Sequence, residues 1–523
     1  MAASSAPQAL KTINRDEVAK HNKAGDLWII IDAQVYNVSK FAALHPGGEA
    51  VLLDEEVAGQ DATEAFFGLH RHEVLLKPAY QKLKVGSIEG EDEKLKPLEL
   101  GSTSKVPYAE PTWLTDNYYS PYYKESHRRL QREMRIFVDS EIHEIAQRCE
   151  ENGKRPPVEL IKLMGSNGIN AMRMGPGKHL AGRKLFAGIQ PEEMDYFHEL
   201  IMTQEITRCG ARGFGDGMQG GMVIGLPPIM NFGSEDLKKE IIEPCLAGEK
   251  FICLAISEAF AGSDVMGMRT FAQKSEDGSH YIVNGTKKWI TNGMFADYFT
   301  TGVKTDDGFA VFCIPRSLGG VETKQIRTSY STTAGTAYVT YDNVKVPTRY
   351  LVGEDGLGIP VILSNFNHER WVMCCATIRS SRAVCEQCML WIHQRKVFGK
   401  PLTTQAVIRH KLASLISQCE AAQSWLENVT YQMCNMSYDQ QSTYLAGQVA
   451  LLKSWSTRVS HEVADAAVQM FGGRGVTKTG MGKYVEEFHR TYKFDAVLGG
   501  SEEVLADLGI RQALRFMPDN QKL

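Results

Sequence analysis

HYIVNGTKKWITNG, residues 280–293, mixes β-branched and aromatic residues with polar ones and closes on Asn-Gly, the pattern of strand followed by turn. The same texture fills 251–355, in GFAVFCIP (308–315) and TAYVTYDNVKVP (336–347), so this stretch is a β-domain. On either side the period changes from two to 3.6. Residues 113–250 carry helical patterns such as EIHEIAQRCEENG (141–153) and EEMDYFHELIMTQEIT (192–207). Residues 356–515 hold long amphipathic runs, 369–396 and 410–433, with the spacing of an antiparallel helical bundle. Helical domain, β-domain, helical bundle is the order that decides the fold.

Upstream lies a second, smaller unit. Residues 10–88 alternate short β-rich runs, LWIIID (27–32), QVYNV (34–38) and KVGSI (84–88), with short helical patterns, as a small α+β domain does. Residues 89–112 are charged, dotted with proline and poor in large apolar side chains, and read as an interdomain linker. A chain of 523 residues with 43% hydrophobic composition is too long for one core, so several domains are expected.

Composition excludes several classes of partner. Lys+Arg total 58 against Asp+Glu 62, a net charge of −4, which leaves no basic surplus for a phosphate backbone. No apolar run reaches the ~20 residues that span a bilayer, and stretches such as GGMVIGLPPIM (220–230) are broken by Gly and Pro. The opening residues lack the apolar segment of a secretory signal and carry acidic residues that a transit peptide avoids, so the expected location is cytoplasmic. The alternative is peroxisomal, because the final Gln521-Lys522-Leu523 resembles a C-terminal S-K-L address. Eleven cysteines, an odd number, suit free thiols, and Cys385-x-x-Cys388 lies within a helical pattern with no second CxxC to complete a metal site.

The segment FAALHPGGEAVLLDEEVAGQDATEAFFGLHRHEVL (41–75) resembles the core of the cytochrome b5 family: a His-Pro-Gly-Gly turn, an acidic stretch, D-A-T-E-x-F and a further histidine. That resemblance implies heme b held between two imidazoles, an arrangement suited to one-electron transfer. His45 fills the first ligand position. For the second, the ending F-x-x-L-H selects His70, with His72 as the alternative.

Further on, LAISEAFAGSDVMGM (254–268) resembles the first signature of the acyl-CoA dehydrogenases, T/S-E-x-x-A-G-S-D, and KKWITNG (287–293) resembles the strand that follows it. QRKVFGKPLTTQ (394–405) resembles the R-x-x-F-G helix end, and QMFGGRGVTKTGMGKYVEEFHR (469–490) the second signature. The resemblance implies FAD as cofactor, contacted by Ser257, Ser263, Trp289 and Thr291 at the ring and pyrophosphate. It also implies that Arg395, Phe398, Gln469, Gly472 and Gly473 reach the FAD of a neighbouring subunit, hence a homodimer or homotetramer, with Ser501 near the cofactor as well. Gly215 to Gly220 formally matches GxGxxG, but it follows a helical pattern, so no nicotinamide site is expected there.

Most family members place their catalytic carboxylate in a segment after the second signature, where Gly499 stands here. A smaller group, resembling isovaleryl-CoA and long-chain acyl-CoA dehydrogenases, carries it on a bundle helix before an arginine, and FNHERWVM (366–373) matches that pattern. Glu369 is thus expected as the catalytic base. Arg370, Ser263, Gly499 and Gly500 are expected on the substrate side, with the Gly499 N–H polarising a thioester carbonyl. Loss of a side chain at 499 opens room beside the α-carbon, while Phe260, Trp371 and Met373 are positioned in sequence to narrow it.

The fold expected is therefore multidomain: a small α+β cytochrome b5-like domain, then an acyl-CoA dehydrogenase fold with an N-terminal helical domain, a middle β-barrel-like domain and a C-terminal four-helix bundle. The expected activity is FAD-dependent α,β-dehydrogenation of an acyl-CoA thioester, with electrons passing to the fused haem and on to a one-electron acceptor protein or O2. Two alternatives stand beside it. One is a flavin oxidase of the same family using O2, and the other a catalytically silent protein that keeps both cofactors as structural elements.

Overall fold

The computed structural model describes residues 11–96 and 98–521. The terminal Lys522-Leu523 of the peroxisome-like ending lies outside the described residues. The chain divides into two compact units, the first comprising residues 1–99, 390–408 and 470–483, the second 100–389, 409–469 and 484–523.

The first unit is built on a five-stranded sheet. Strands β1 (Lys11–Ile13), β2 (Asn22–Lys23), β3 (Asp26–Ile31), β4 (Gln34–Asn37) and β5 (Lys84–Ile88) lie in the order β1-β5-β4-β3-β2. The run Asp26–Ile31 is apolar on both faces because both are covered. Leu27, Ile29 and Ile31 join Tyr36, Leu52 and Leu75 in one core, while Ile30 joins Ile13, Val18, Val35 and Ile88 on the other side. Asp32 and Ala33, with φ of 48° and 60°, turn β3 back onto β4 in a two-residue hairpin. The Asp32 carboxylate then accepts hydrogen bonds from the Lys94 and Leu95 N–H groups, at 3.0 and 2.7 Å, which ties the start of the linker to the sheet.

In the second unit, strands β6 (Ile252–Ala255), β7 (Phe271–Lys274), β8 (His280–Ile290), β9 (Tyr298–Thr305), β10 (Gly308–Pro315), β11 (Val321–Gln325) and β12 (Ala337–Pro347) form one mixed sheet. Its order is β10-β9-β7-β8-β12-β11, with β6 parallel to β9. The period-two burial of β8 (Tyr281, Val283) carries through to Lys287, which therefore faces inward, and shifts only beyond it, where the register against β12 slips and Ile290 is the next buried residue. The bundle helices are Phe366–Gln394, Ala406–Asn435, Ala446–Phe471 and Glu502–Arg515.

The second half of the linker packs by charge instead of apolar mass. Glu110 is buried and pairs with Arg135 (2.6 Å) and Arg379 (3.2 Å), and Arg135 also binds Glu205 at 2.7 Å. Burial pushes the Glu110 carboxyl up, but the two guanidiniums outweigh it and hold it at about 2. Removing any one member would strand a buried charge, which is why such a segment stays docked.

His127, Asp195 and His198 bring their ligand atoms close together, yet their hydrogen bonds are spent on helix ends. His127 Nδ1 accepts from the Lys124 N–H, His198 Nδ1 accepts from the Asp195 N–H, and Asp195 accepts from Phe197 N–H and from His127 Nε2–H. This double cap fixes the start of helix Tyr196–Thr207, which carries Glu199.

The eleven cysteines are free thiols, all buried but Cys434. Cys385 lies 3.8 Å from Cys419, sulfur to sulfur, deep in the bundle, and its thiol is pushed well up by that hydrogen bond and by burial. No helix among the described residues is long and apolar enough to cross a membrane.

Candidate functional site

In the first unit His45 follows the 3₁₀ turn Ala42–Leu44, and His70 follows the helix Thr63–Phe67. Their ring centres stand 6.0 Å apart at an interplanar angle of 78°. Two imidazole nitrogens each about 2.0 Å from one metal put their ring centres roughly 6 Å apart, so this separation fits a shared iron. The Nδ1–H of His45 donates to the Gly48 carbonyl (3.1 Å), which leaves Nε2 as the ligand atom. A Cβ at Gly47 would lie 2.9 Å from the His45 ring, so only glycine leaves that ring room. The His70 ring packs on Phe66 at 4.9 Å, and burial lowers its pKa, favouring the neutral form a metal needs. His72 instead packs against Phe67, at 6.3 Å. Leu44 and Leu69, one before each histidine, are 75% and 50% exposed, apolar surface of the kind a macrocycle covers.

In the second unit β6 leads into the loop carrying Ser257 and Ser263. The Ser257 carbonyl accepts from the Lys288 N–H at 2.9 Å, which holds this loop against β8. Lys287 strengthens the joint from within: its ammonium donates to the Ile256 carbonyl (2.9 Å) and pairs with Glu258 (2.8 Å), fully buried, and desolvation lowers its pKa to about 8. Next to it Trp289 has φ of 62° and is 44% exposed. A bulky residue in left-handed backbone is strained, and the Lys288 ammonium lies 4.7 Å from its ring centre. Thr291 follows, and Asn292 accepts from Gly221 N–H and donates to the Asp216 carbonyl. That contact explains the GxGxxG look-alike. Residues 212–217 and 220–225 are helices, and a Cβ at Gly221 would lie 2.7 Å from the Ile252 carbonyl, so the glycines serve close packing against β6.

Ser263 and Phe260 are exposed, Phe260 stacked under the Arg269 guanidinium at 4.8 Å. Gln469 is exposed, as are Gly472 and Gly473, beside which a Cβ would meet nothing within 4 Å. Arg395 is half-buried, and Phe398, in the hairpin between β13 (Lys396–Val397) and β14 (Lys400–Pro401), is 95% exposed with φ of 51°.

Glu369 and Gly499 meet. A Cβ built on Gly499 would lie 3.7 Å from Glu369 Oε1 and 2.7 Å from Met373 Sδ. The helix and the turn thus converge on one volume, filled from the helix side. Arg370 Nε donates to the Gly499 carbonyl (3.0 Å) and Lys453 Nζ to the Gly500 carbonyl (2.6 Å), fixing a turn whose glycines have φ of 62° and 104°. Ser501 begins the helix Glu502–Arg515. Burial raises the Glu369 pKa more than Arg370, Lys453 and His368 lower it. Its neighbour His368 pairs with buried Glu199 at 2.8 Å. Trp371, by contrast, is a core residue whose Nε1–H donates to Thr430, not a pocket wall.

Sequence reading missed Lys453, Lys287, and the His368–Glu199 pair. Lys453 left a signal, a single charge in the apolar helical run VALLKSW (449–455), with its pKa lowered by burial to about 8, and so did Lys287, a charge on the inward phase of Tyr281 and Val283.

Comparison with known proteins identifies the domains. Residues 14–101 match the cytochrome b5-like heme/steroid binding domain, and residues 124–249, 253–344 and 356–514 match the N-terminal, middle and C-terminal domains of acyl-CoA dehydrogenases. The chain is 36% identical over 432 residues to the acyl-CoA dehydrogenase apdG of Emericella nidulans, covering 81% of this chain and 98% of that one. It is 33% identical to the acyl-CoA dehydrogenase AFT10-1 of Alternaria alternata, over 78% of this chain and 96% of that one. A crystal structure of a probable acyl-CoA dehydrogenase from Mycobacterium abscessus superposes with TM-score 0.66 at 25% identity, covering 75% of this chain and all of that one. A flavin-dependent oxidoreductase acting on CH–CH bonds, joined to a haem-binding module, is the class these features define. The chain belongs to the acyl-CoA dehydrogenase family.

Proposed function

We propose that the protein removes the α-proton and β-hydride of an acyl-CoA thioester and passes the two electrons, one at a time, to the b-type haem of its N-terminal module. The observation that carries the reading is the approach of Glu369 Oε1 to within 3.7 Å of the missing Gly499 side chain. A base reaches the substrate volume from the helix because the turn offers none.

Glu369 accepts the α-proton. Its pKa, raised by burial, makes it a stronger base than a surface glutamate. The Gly499 N–H serves the thioester carbonyl, and Arg370 and Lys453 hold its turn by their carbonyl hydrogen bonds. Ser257, Ser263, Trp289 and Thr291 hold the ring end of FAD. Arg395, Phe398, Gln469, Gly472 and Gly473 offer the exposed surface for an adenosine end across a subunit contact. His45 and His70 ligate the haem iron. Bound FAD would supply the hydride acceptor and haem a one-electron store, so one thioester oxidised to the enoyl form would release two protons and reduce the module's Fe(III) haem twice, a one-electron acceptor protein reoxidising it between the two transfers.

The test is an anaerobic screen of acyl-CoA thioesters of varied length and branching, followed at the flavin and haem absorption bands. The expected result is flavin bleaching followed by haem reduction with a subset of thioesters. Flavin bleaching with no haem reduction, together with O2 consumption in air, would establish the oxidase instead, and no bleaching with any thioester would leave a silent cofactor carrier.

A further inference from the structure

The haem-ligand loop makes contacts that the reaction chemistry does not require. Arg474, in the turn after the helix Ala446–Phe471, donates from Nε to the Gly68 carbonyl at 3.1 Å, two residues before His70. Gln394 Nε2 donates to the Phe67 carbonyl at 3.1 Å. Lys396 Nζ pairs with Glu64 at 2.7 Å. A Cβ at Gly480 would lie 3.1 Å from the Leu69 carbonyl, so backbone meets backbone there. All four contacts fall within eight residues of the helix and loop that end at His70. They come from two segments, 394–396 and 474–480, the first containing Arg395 and the second following Gly473, both among the positions proposed for the adenosine half of FAD. These segments and the haem sheet belong to one compact unit.

The anchor is rigid. The Arg474 guanidinium lies over the Trp391 ring at 5.2 Å, and Trp391 is buried, stacked on Phe471 (5.2 Å) and hydrogen-bonded through Nε1–H to the Met470 carbonyl at 3.1 Å. A cation held on an aromatic face and aimed at one carbonyl loses little further entropy in binding it.

We propose that Arg474, Gln394 and Lys396 form a latch that holds the His70 loop on these two segments, so that the haem is fixed beside the positions proposed for the adenosine half of FAD. They are positioning residues: none touches substrate, and each acts through the loop that ends at His70. The proposal rests on the electron transfer proposed above only for its purpose; the latch itself is a statement about this chain's own contacts.

Hydrogen exchange on the full-length protein reads the latch directly, with and without haem. Arg474→Met keeps the stem on Trp391 and deletes the charged donor, and exchange across Phe66–His70 is expected to quicken about tenfold or more. Lys396→Glu and Glu64→Lys, each making a like-charge pair, are expected to quicken it about two- to fivefold, and the double exchange to restore it. Glu64→Lys lies on the haem module alone, so acyl-CoA-dependent flavin bleaching stays unchanged while haem reduction slows with the same rank order. Unchanged exchange in Arg474→Met and in both charge variants overturns the latch. Faster exchange with unaltered haem reduction overturns its part in electron transfer. A wild-type haem that stays oxidised while flavin bleaches defeats the function proposed above, and the exchange arm still decides the latch.

Discussion

The two redox sites are put together in different ways. The proposed haem ligands, His45 and His70, are 25 residues apart in sequence, carried on short turns of one small unit, and fall in one continuous motif. The base and its turn, Glu369 and Gly499, are 130 residues apart, and neither means anything alone. Glu-Arg on a helix is ordinarily a solvated pair, and Gly-Gly-Ser before a helix is ordinarily a cap. Only their convergence makes a site. A local site is thus exposed to single-residue loss, whereas a convergent one has two elements from which the same group can be supplied.

The haem side gives the all-or-none test of that contrast. His45→Ala and His70→Ala should each abolish the low-spin bis-imidazole spectrum of the purified protein, while His72→Ala, whose ring packs on Phe67, leaves it intact. A spectrum lost with His72→Ala and kept with His70→Ala would reverse the ligand assignment.

On the dehydrogenase side the effect is large but recoverable. Glu369→Gln keeps size and FAD content and should slow substrate-dependent flavin reduction by roughly 10²–10⁴-fold, the usual value of a positioned base. Gly499→Glu in that background returns a carboxylate to the same volume, but its Cβ meets Met373 Sδ at 2.7 Å and its backbone has φ of 62°. Recovery should therefore be small by itself and larger when Met373→Ala is added. Near-normal flavin reduction in Glu369→Gln alone would remove the base assignment.

The difference between the two sites also governs what the sequence disclosed. The helix–sheet–helix order and the small α+β unit were legible because period and turn residues are local properties, and the b5-like motif was legible because its ligands share one stretch. The CxxC of Cys385 and Cys388 read as helix core, and the thiols are buried there. The inward direction of Lys287 follows from its alternation with Tyr281 and Val283, but the carboxylate that keeps its ammonium buried, Glu258, lies 29 residues away on another segment and no spacing rule reaches it. The His368–Glu199 pair joins two helices 169 residues apart, and no spacing rule reaches that far. The linker shows the opposite error of texture. Its poverty in apolar residues said nothing of Glu110, which docks it through Arg135 and Arg379.

The smallest effect concerns the energy stored at the base. A carboxyl whose pKa is higher in the fold than in the unfolded chain stabilises the fold when protonated, and that contribution is lost as pH rises through the folded value. For Glu369 the unfolded value is near 4.5, and burial raises the folded one against the pull of Arg370, Lys453 and His368. Glutamine cannot ionise, so it removes the cost of holding a charge there while keeping the volume. Glu369→Gln should thus melt about 1–3 °C above the wild type at pH 7.5, with the gap closing toward pH 4, where both side chains are neutral in the fold. Melting curves on FAD-loaded protein across that range read the sign. A gap that widens toward acid would mean that the attraction to Arg370 and Lys453 outweighs burial, and that the base is held ionised by its neighbours and not strengthened by desolvation.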